Sequence, residues 1–228
     1  MSLKSKLNEV RSKVKEVQEI YGLSHEVEIV GVTKTHPPSI IEESFLSGFR
    51  SIGENRVQEA ESKFKLLKEL PGLKKRFIGN LQSNKINKCV SLFDTIDSID
   101  SKKKMLKISR AAEKINKKII GLIEVNTSQE IQKGGFEVSQ LDEIIECCFD
   151  KNVEIEGLMT IGPNTKNEKK VRQSFRTLRE LREKINQRID HRKLNHLSMG
   201  MSGDYKIAIA EGSTMIRIGS FFYGLRSL

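Results

Sequence analysis

Cysteine is scarce in this 228-residue chain. Cys89 and the adjacent pair Cys147 and Cys148 give neither an even disulfide framework nor a metal-ligand spacing, so they read as reduced, structural thiols and no metal site is expected. Proline is also sparse, with four in all, and no Pro/Gly/Ser-rich linker, internal repeat or low-complexity stretch divides the sequence. Tandem-domain and repeat architectures are therefore disfavoured, and a single domain over residues 1–228 is expected. No run approaches the roughly 18 apolar residues of a membrane span. The opening MSLKSKLNEVRSKVKEV is polar and periodic, without the apolar core of a targeting peptide. These absences predict a cytoplasmic protein with no membrane partner.

Positive charge is what the chain has in excess, a formal +10. Residues 168–193 read as one helix with ten Lys/Arg (Lys169, Lys170, Arg172, Arg176, Arg179, Arg182, Lys184, Arg188, Arg192, Lys193) against four acids (Glu168, Glu180, Glu183, Asp190). Such a surplus raises the question of nucleic acid or another polyanion. The basic residues, however, surround the helix everywhere except an apolar stripe of Val171, Phe175, Leu178, Leu181 and Ile185. That pattern fits a solvated outer helix better than a binding face, and nucleic acid is not the expected partner.

From residue 27 onward, short β-branched runs alternate with amphipathic stretches. Strands are predicted at 27–34, 51–54, 76–80, 94–99, 119–126, 153–161, 196–200 and 215–220, with helices at 38–48, 56–70, 101–116 and 139–150 among the intervening segments and another over 2–20 ahead of the first strand. Eight consecutive βα units indicate a single (β/α)8 TIM barrel with an extra N-terminal helix, rather than an open doubly wound sheet.

Barrel enzymes carry their chemistry at the C-terminal ends of the strands and often hold phosphate in the loops after strands seven and eight. Lys34 closes the first strand, EIVGVTK, just before Pro37 and Pro38. A lysine so placed is either a surface residue or an amine presented to a carbonyl compound. After the seventh strand, SMGMSGD offers the hydroxyls of Ser198 and Ser202 and the glycines 200 and 203, with a helix beginning near Asp204. Gly219 and Ser220 repeat the small-plus-hydroxyl pattern after the eighth strand. Arg217, two residues before Gly219, shares its side of that strand. An inward arginine needs either a barrel carboxylate such as Glu54, Asp97 or Glu124, or a ligand. Asn55, at the end of the second strand, is either a turn residue or a ligand contact.

The motifs VTKTHP (32–37), IGENRVQE (52–59), FIGNLQSNK (77–85), EVNTSQEIQKGGF (124–136), GLMTIGP (157–163), LSMGMSGD (197–204) and GSTMIRIGSFFYG (212–224) span nearly the whole chain. In these the sequence resembles the YggS/PROSC family of pyridoxal 5′-phosphate (PLP) homeostasis proteins, whose barrel is that of the alanine racemase N-terminal domain. The resemblance implies a protein that binds PLP as an internal aldimine on Lys34 and limits the free aldehyde, with no established turnover. It also implies that Asn55 lies near the cofactor, that Ser202, Gly219 and Ser220 hold the phosphate with help from the Met201 backbone, that Arg217 faces the pyridine nitrogen, and that Met159 and Ser198 line the pocket.

Two positions depart from the family pattern. Lys75 and Arg76 stand where an aromatic and a histidine usually precede FIG, away from the ligand end, which suggests an effect on packing only. Glu124 stands where glutamine is frequent. Arginine offers only donors, so facing a pyridine nitrogen it requires that nitrogen to be an unprotonated acceptor, which makes the cofactor a poor electron sink. No counterpart of a racemase tyrosine is evident, since Tyr21, Tyr205 and Tyr223 fall in helical or near-terminal positions. A carrier, with PLP-dependent apoenzymes as recipients and a monomeric state, is therefore favoured over the alternatives of a slow amino-acid racemase or a phosphosugar Schiff-base aldolase.

Overall fold

The computed structural model describes residues 1–128, 130, 133–190 and 193–224. Helix α1 (Leu3–Tyr21) is set by Leu3, Leu7, Val10, Val14 and Val17, all buried, at the three-and-four spacing that forms one apolar stripe. Ser2 caps it by accepting from the Ser5 N–H, and Gly22, at φ 63°, ends it in the left-handed conformation that glycine adopts at little cost.

Eight parallel strands follow: β1 (Glu28–Val32), β2 (Ser51–Glu54), β3 (Lys74–Phe77), β4 (Thr95–Ile99), β5 (Ile119–Asn126), β6 (Val153–Met159), β7 (His196–Ser198) and β8 (Met215–Ile218). Each pairs with the next in sequence, and β8 returns to pair with β1 through Glu28 opposite Met215 and Val30 opposite Arg217, so the sheet closes into a barrel. One helix follows each strand in turn: α2 (Pro38–Leu46), α3 (Val57–Phe64), α4 (Ile86–Leu92), α5 (Lys102–Lys114), α6 (Leu141–Cys147), α7 (Glu168–Arg188), α8 (Tyr205–Ala210) and α9 (Ser220–Tyr223). The (β/α)8 barrel with an added first helix is the architecture that the alternating pattern predicts. Helix α1 packs outside it, its apolar stripe joining Phe49, Ile209, Ile216, Ile218 and Phe222 in one cluster.

Boundaries differ where local pattern and tertiary packing disagree. Helix α3 stops at Phe64 rather than 70, because Leu67 and Leu70 leave the helical path to cover Ile41, Ile52 and Leu73. Strand β3 begins at Lys74, two residues before the expected start at 76. Helix α4 supplies the helix of the third βα unit from a weak apolar signal, its buried residues being only Ile86, Cys89 and Val90, and the 3-10 turn Ser83–Lys85 leads into it. Helix α7 ends at Arg188, where Ile189 turns extended and is buried; of the basic residues expected beyond it, Arg192 lies outside the described residues. A short strand, Phe136–Glu137, adds to the end of β5.

The strand alternation sorts the barrel interior into layers. Along β1, Glu28, Val30 and Val32 share a face, as do Met215, Arg217 and Gly219 along and just beyond β8. Val30, Leu122, Met159 and Met215 form a buried apolar cluster that joins β1 to β5 across the interior. At the N-terminal side of this plug lies Arg76, the largest fully buried side chain. It bonds to Asp97 at 3.1 Å, Glu28 at 3.1 Å and Thr95 at 3.3 Å. Ser51 also donates to Glu28. Arg76 is thus more than a packing substitution, contrary to its reading from sequence; it holds the floor of the barrel together.

The basic helix is also less solvated than its pattern suggests. Its stripe of Val171, Phe175, Leu178, Leu181 and Ile185 is buried, each such side chain contributing roughly 1.5–3 kcal/mol. Arg172, Arg176 and Arg179 all converge on the nearly buried Glu211, at 3.0, 3.4 and 3.1 Å. The three cysteines are free thiols and buried. Burial pushes Cys147 up to about 11 and Cys148 up to about 12, well out of the reactive range. No helix among the described residues is long and apolar enough to cross a membrane.

Candidate functional site

Lys34 stands two residues beyond β1, in a turn that the surrounding elements hold at several points. Thr33 N–H donates to Gly53 O at 3.1 Å, extending the strand pairing, and His36 N–H returns to Thr33 O at 3.1 Å. Thr35 adopts φ 67°, which is uncommon for a β-branched residue and costs about 1–3 kcal/mol unless the surroundings enforce it. They do so through Glu59, whose carboxylate accepts the Thr35 N–H at 2.5 Å. Lys63 then binds Glu59 at 2.6 Å, Glu54 at 2.9 Å and Thr33 O at 2.9 Å. Glu54 is fully buried, and burial pushes its pKa up against the pull of Thr33 and Lys63. Sequence reasoning missed this brace. Its only signal was a charged residue closing an otherwise apolar strand, SIGE, with a lysine nine positions on.

A cavity of about 640 Å³ opens at this end of the barrel. Lys34, Met159 and Arg217 line it together with Met201, Ser202, Gly219 and Ser220 from the loops after β7 and β8. Asn55 lies in a second chamber of about 360 Å³ that shares Lys34, Ile78 and Ile161 with the first. The Oδ1 atom of Asn55 is shielded and has no hydrogen-bond partner among the described residues, a condition that costs about 1–3 kcal/mol for a neutral group. Ser198 does not reach the cavity wall. It is fully buried behind Arg217 and accepts from its Nη1 at 2.7 Å.

Arg217 itself is the unusual group. Its Nη2 donates to Thr160 O at 2.8 Å, so both of these protein acceptors are neutral, and no ion pair to Glu54, Asp97 or Glu124 forms. Burial lowers its pKa, and the more distant Asp97, Glu124 and Asp204 offset this only in part. The guanidinium remains charged, with most of its five N–H groups still unassigned.

The two loops meet directly, Ser220 Oγ donating to Ser202 Oγ at 3.1 Å. The backbone N–H groups of Ser202, Gly203 and Ser220 have no acceptor among the described residues. The Met201 N–H, by contrast, is taken by Asp204 Oδ1 at 2.6 Å. Gly219 lets the loop pass close to β1, since a Cβ there would sit 3.2 Å from Val32 O, a tight contact. One residue not foreseen lines the wall, His36, and Tyr223 backs it, with its ring centroid 5.5 Å from that of His36. Tyr223 is tied to Ser44 at 2.9 Å. Together these groups present an amine, a cation and a cluster of small-group donors to one space. That set suits an anionic ligand with an electrophilic carbon.

Residues 5–227 match the alanine racemase N-terminal domain family. The chain is 44% identical over 199 residues to the pyridoxal phosphate homeostasis protein of Aquifex aeolicus, covering 87% of this chain and 86% of that one. It belongs to the pyridoxal phosphate homeostasis proteins. The homeostasis protein of Helicobacter pylori is 35% identical over 228 residues, 98% of this chain and 99% of its own. PipY of Synechococcus elongatus, solved with PLP bound, superposes with a TM-score of 0.87 at 32% identity, covering 98% of this chain and 100% of that one. Glu124 lines the second chamber beside Asn55 and Asp100. Burial, then Asp100, push the Glu124 pKa up, while Arg217 and Lys104 pull it down from a distance.

Proposed function

We propose that this chain is one PLP-binding barrel domain that carries the cofactor as a Schiff base on Lys34 and serves intracellular PLP homeostasis, as a cytoplasmic monomer that passes PLP to dependent apoenzymes. The observation that carries the reading is that one cavity gathers Lys34, Arg217 and the hydroxyls of Ser202 and Ser220. The residues fit the group. The free N–H groups and the two hydroxyls suit a phosphate, and Arg217 has donors to spare for a ring nitrogen. Asn55 has an oxygen in need of a partner.

When bound, PLP supplies an aldehyde and an electron-accepting ring. The chain's own residues do the rest. The braced turn fixes the Lys34 backbone, and Ser202, Gly219 and Ser220 would anchor the phosphate, without the Met201 N–H, which is committed to Asp204. Met159 and Asn55 would flank the ring. Ser198 and Thr160 hold Arg217, which would donate to the ring nitrogen and hold it unprotonated. That last feature argues for carriage over racemisation, because an unprotonated ring withdraws electrons weakly. Borohydride reduction of the PLP-loaded protein followed by peptide mass spectrometry tests the assignment. A phosphopyridoxyl group on Lys34 is expected, and a modification elsewhere, or none, overturns it.

A further inference from the structure

The second chamber has a charge pattern that holding PLP does not use. It is lined by Asn55, Asp100, Glu124, Asn126 and Lys133, and it opens onto the same Lys34 as the main cavity. Lys133 and Asp100 are each paired. Lys133 binds Glu130 at 2.8 Å and Gly162 O at 2.6 Å. Asp100 is bound by Lys104 and accepts from Ser101 at 3.1 Å. Glu124 has no ion-pair partner among the described residues. A largely buried carboxylate without a contacting cation is costly, and a cation entering the chamber would offset both its desolvation and its repulsion from Asp100.

We propose that this chamber is a subsite for a primary amine, an amino acid or a lysine side chain, which displaces PLP from Lys34, with Glu124 as the acceptor that binds the incoming ammonium. The inference rests on the Schiff-base reading of Lys34. The exchange balances without water or redox change: the C–N bond from the cofactor carbon to the incoming nitrogen forms as the bond to Lys34 breaks. The two protons that the incoming neutral amine loses end on the Lys34 nitrogen. The ammonium proton lost beforehand passes to Glu124, whose raised pKa suits it to take a proton.

The test is PLP release from the holoprotein with two probes, n-propylamine, a cation at neutral pH, and methoxyamine, which is neutral. Release by propylamine should saturate, and Glu124→Gln should raise its half-saturation at least fivefold while methoxyamine release stays within twofold. A linear propylamine dependence that is the same in both proteins would overturn the proposal. An NMR titration of the PLP-free wild-type protein with propylammonium supplies an independent arm, in which resonances of Asn55 and Glu124 should move; no perturbation there sinks the subsite even if PLP loads normally. A protein that never forms the Lys34 linkage defeats the functional reading instead, and leaves the NMR arm to decide the chamber.

Discussion

The two arginines buried among the described residues occupy matching places, each third in a four-residue strand, and have opposite surroundings. Arg76, in β3, is met by the carboxylates of Asp97 and Glu28 and by the hydroxyl of Thr95. Burial works against its charge, but Asp97 and Glu28 outweigh burial and its pKa is raised. Arg217, in β8, is met by a serine hydroxyl and a peptide carbonyl, and its pKa is lowered by burial. The apolar layer of Val30, Leu122, Met159 and Met215 lies between the two ends. A buried cation whose protein partners neutralise it is a brace, whereas Arg217, left to neutral partners beside a cavity, keeps donors that the protein does not use.

Removing the brace should give the largest effect. Arg76→Ala leaves Asp97 without a cation in a fully buried site and should destabilise the fold by about 3–5 kcal/mol, read as a lower urea midpoint with an unchanged slope. An unchanged midpoint would mean that the floor is not ionic in solution. Arg217→Met should break the comparison in the other direction. Removing a desolvated cation that has no carboxylate partner should leave stability unchanged or increased, while PLP affinity falls by about 1.5–3 kcal/mol with the loss of a charged hydrogen bond. A large stability loss there would make Arg217 a second brace.

How legible these two roles were in the sequence follows from range. The barrel was readable because β-branched runs and amphipathic stretches alternate locally, and the placement of Lys34, Ser202, Gly219 and Ser220 at one cavity was readable because strand ends and small-residue loops are local signals. The fate of Arg76 was not, since its partners Glu28 and Asp97 come from two other strands and only closure of the barrel brings them together. The same holds for Arg217: three barrel carboxylates were plausible partners, and register alone assigned it Ser198 and Thr160 instead. The Lys63 brace under the Lys34 turn was hidden for the same reason, as helix–strand contacts leave no periodic trace.

Smaller effects sharpen the contrast. Ser202→Ala should lower PLP affinity by about 1–2 kcal/mol, through loss of one hydrogen bond to phosphate, without moving the urea midpoint; an unchanged affinity would place the phosphate elsewhere. The floor should also show itself in the pH dependence of stability. Burial tends to raise the Glu28 pKa, but Arg76 and Ser51 bring it below the ordinary 4.5. Its contribution is therefore fully present above that value and is lost as pH falls through the lower folded-state value. Glu28→Gln should flatten this acid limb of the stability profile below the ordinary carboxylate value of 4.5, and a limb of unchanged slope would show that Glu28 is not linked to folding.

The most direct measurement is the protonation state of the cofactor's ring nitrogen, read by nitrogen NMR on protein loaded with ring-labelled PLP. An unprotonated nitrogen is expected at neutral pH in the wild type, accepting a hydrogen bond from Arg217, with a shift of that resonance in Arg217→Met. A protonated ring nitrogen in the wild type, or a resonance indifferent to Arg217→Met, would contradict it.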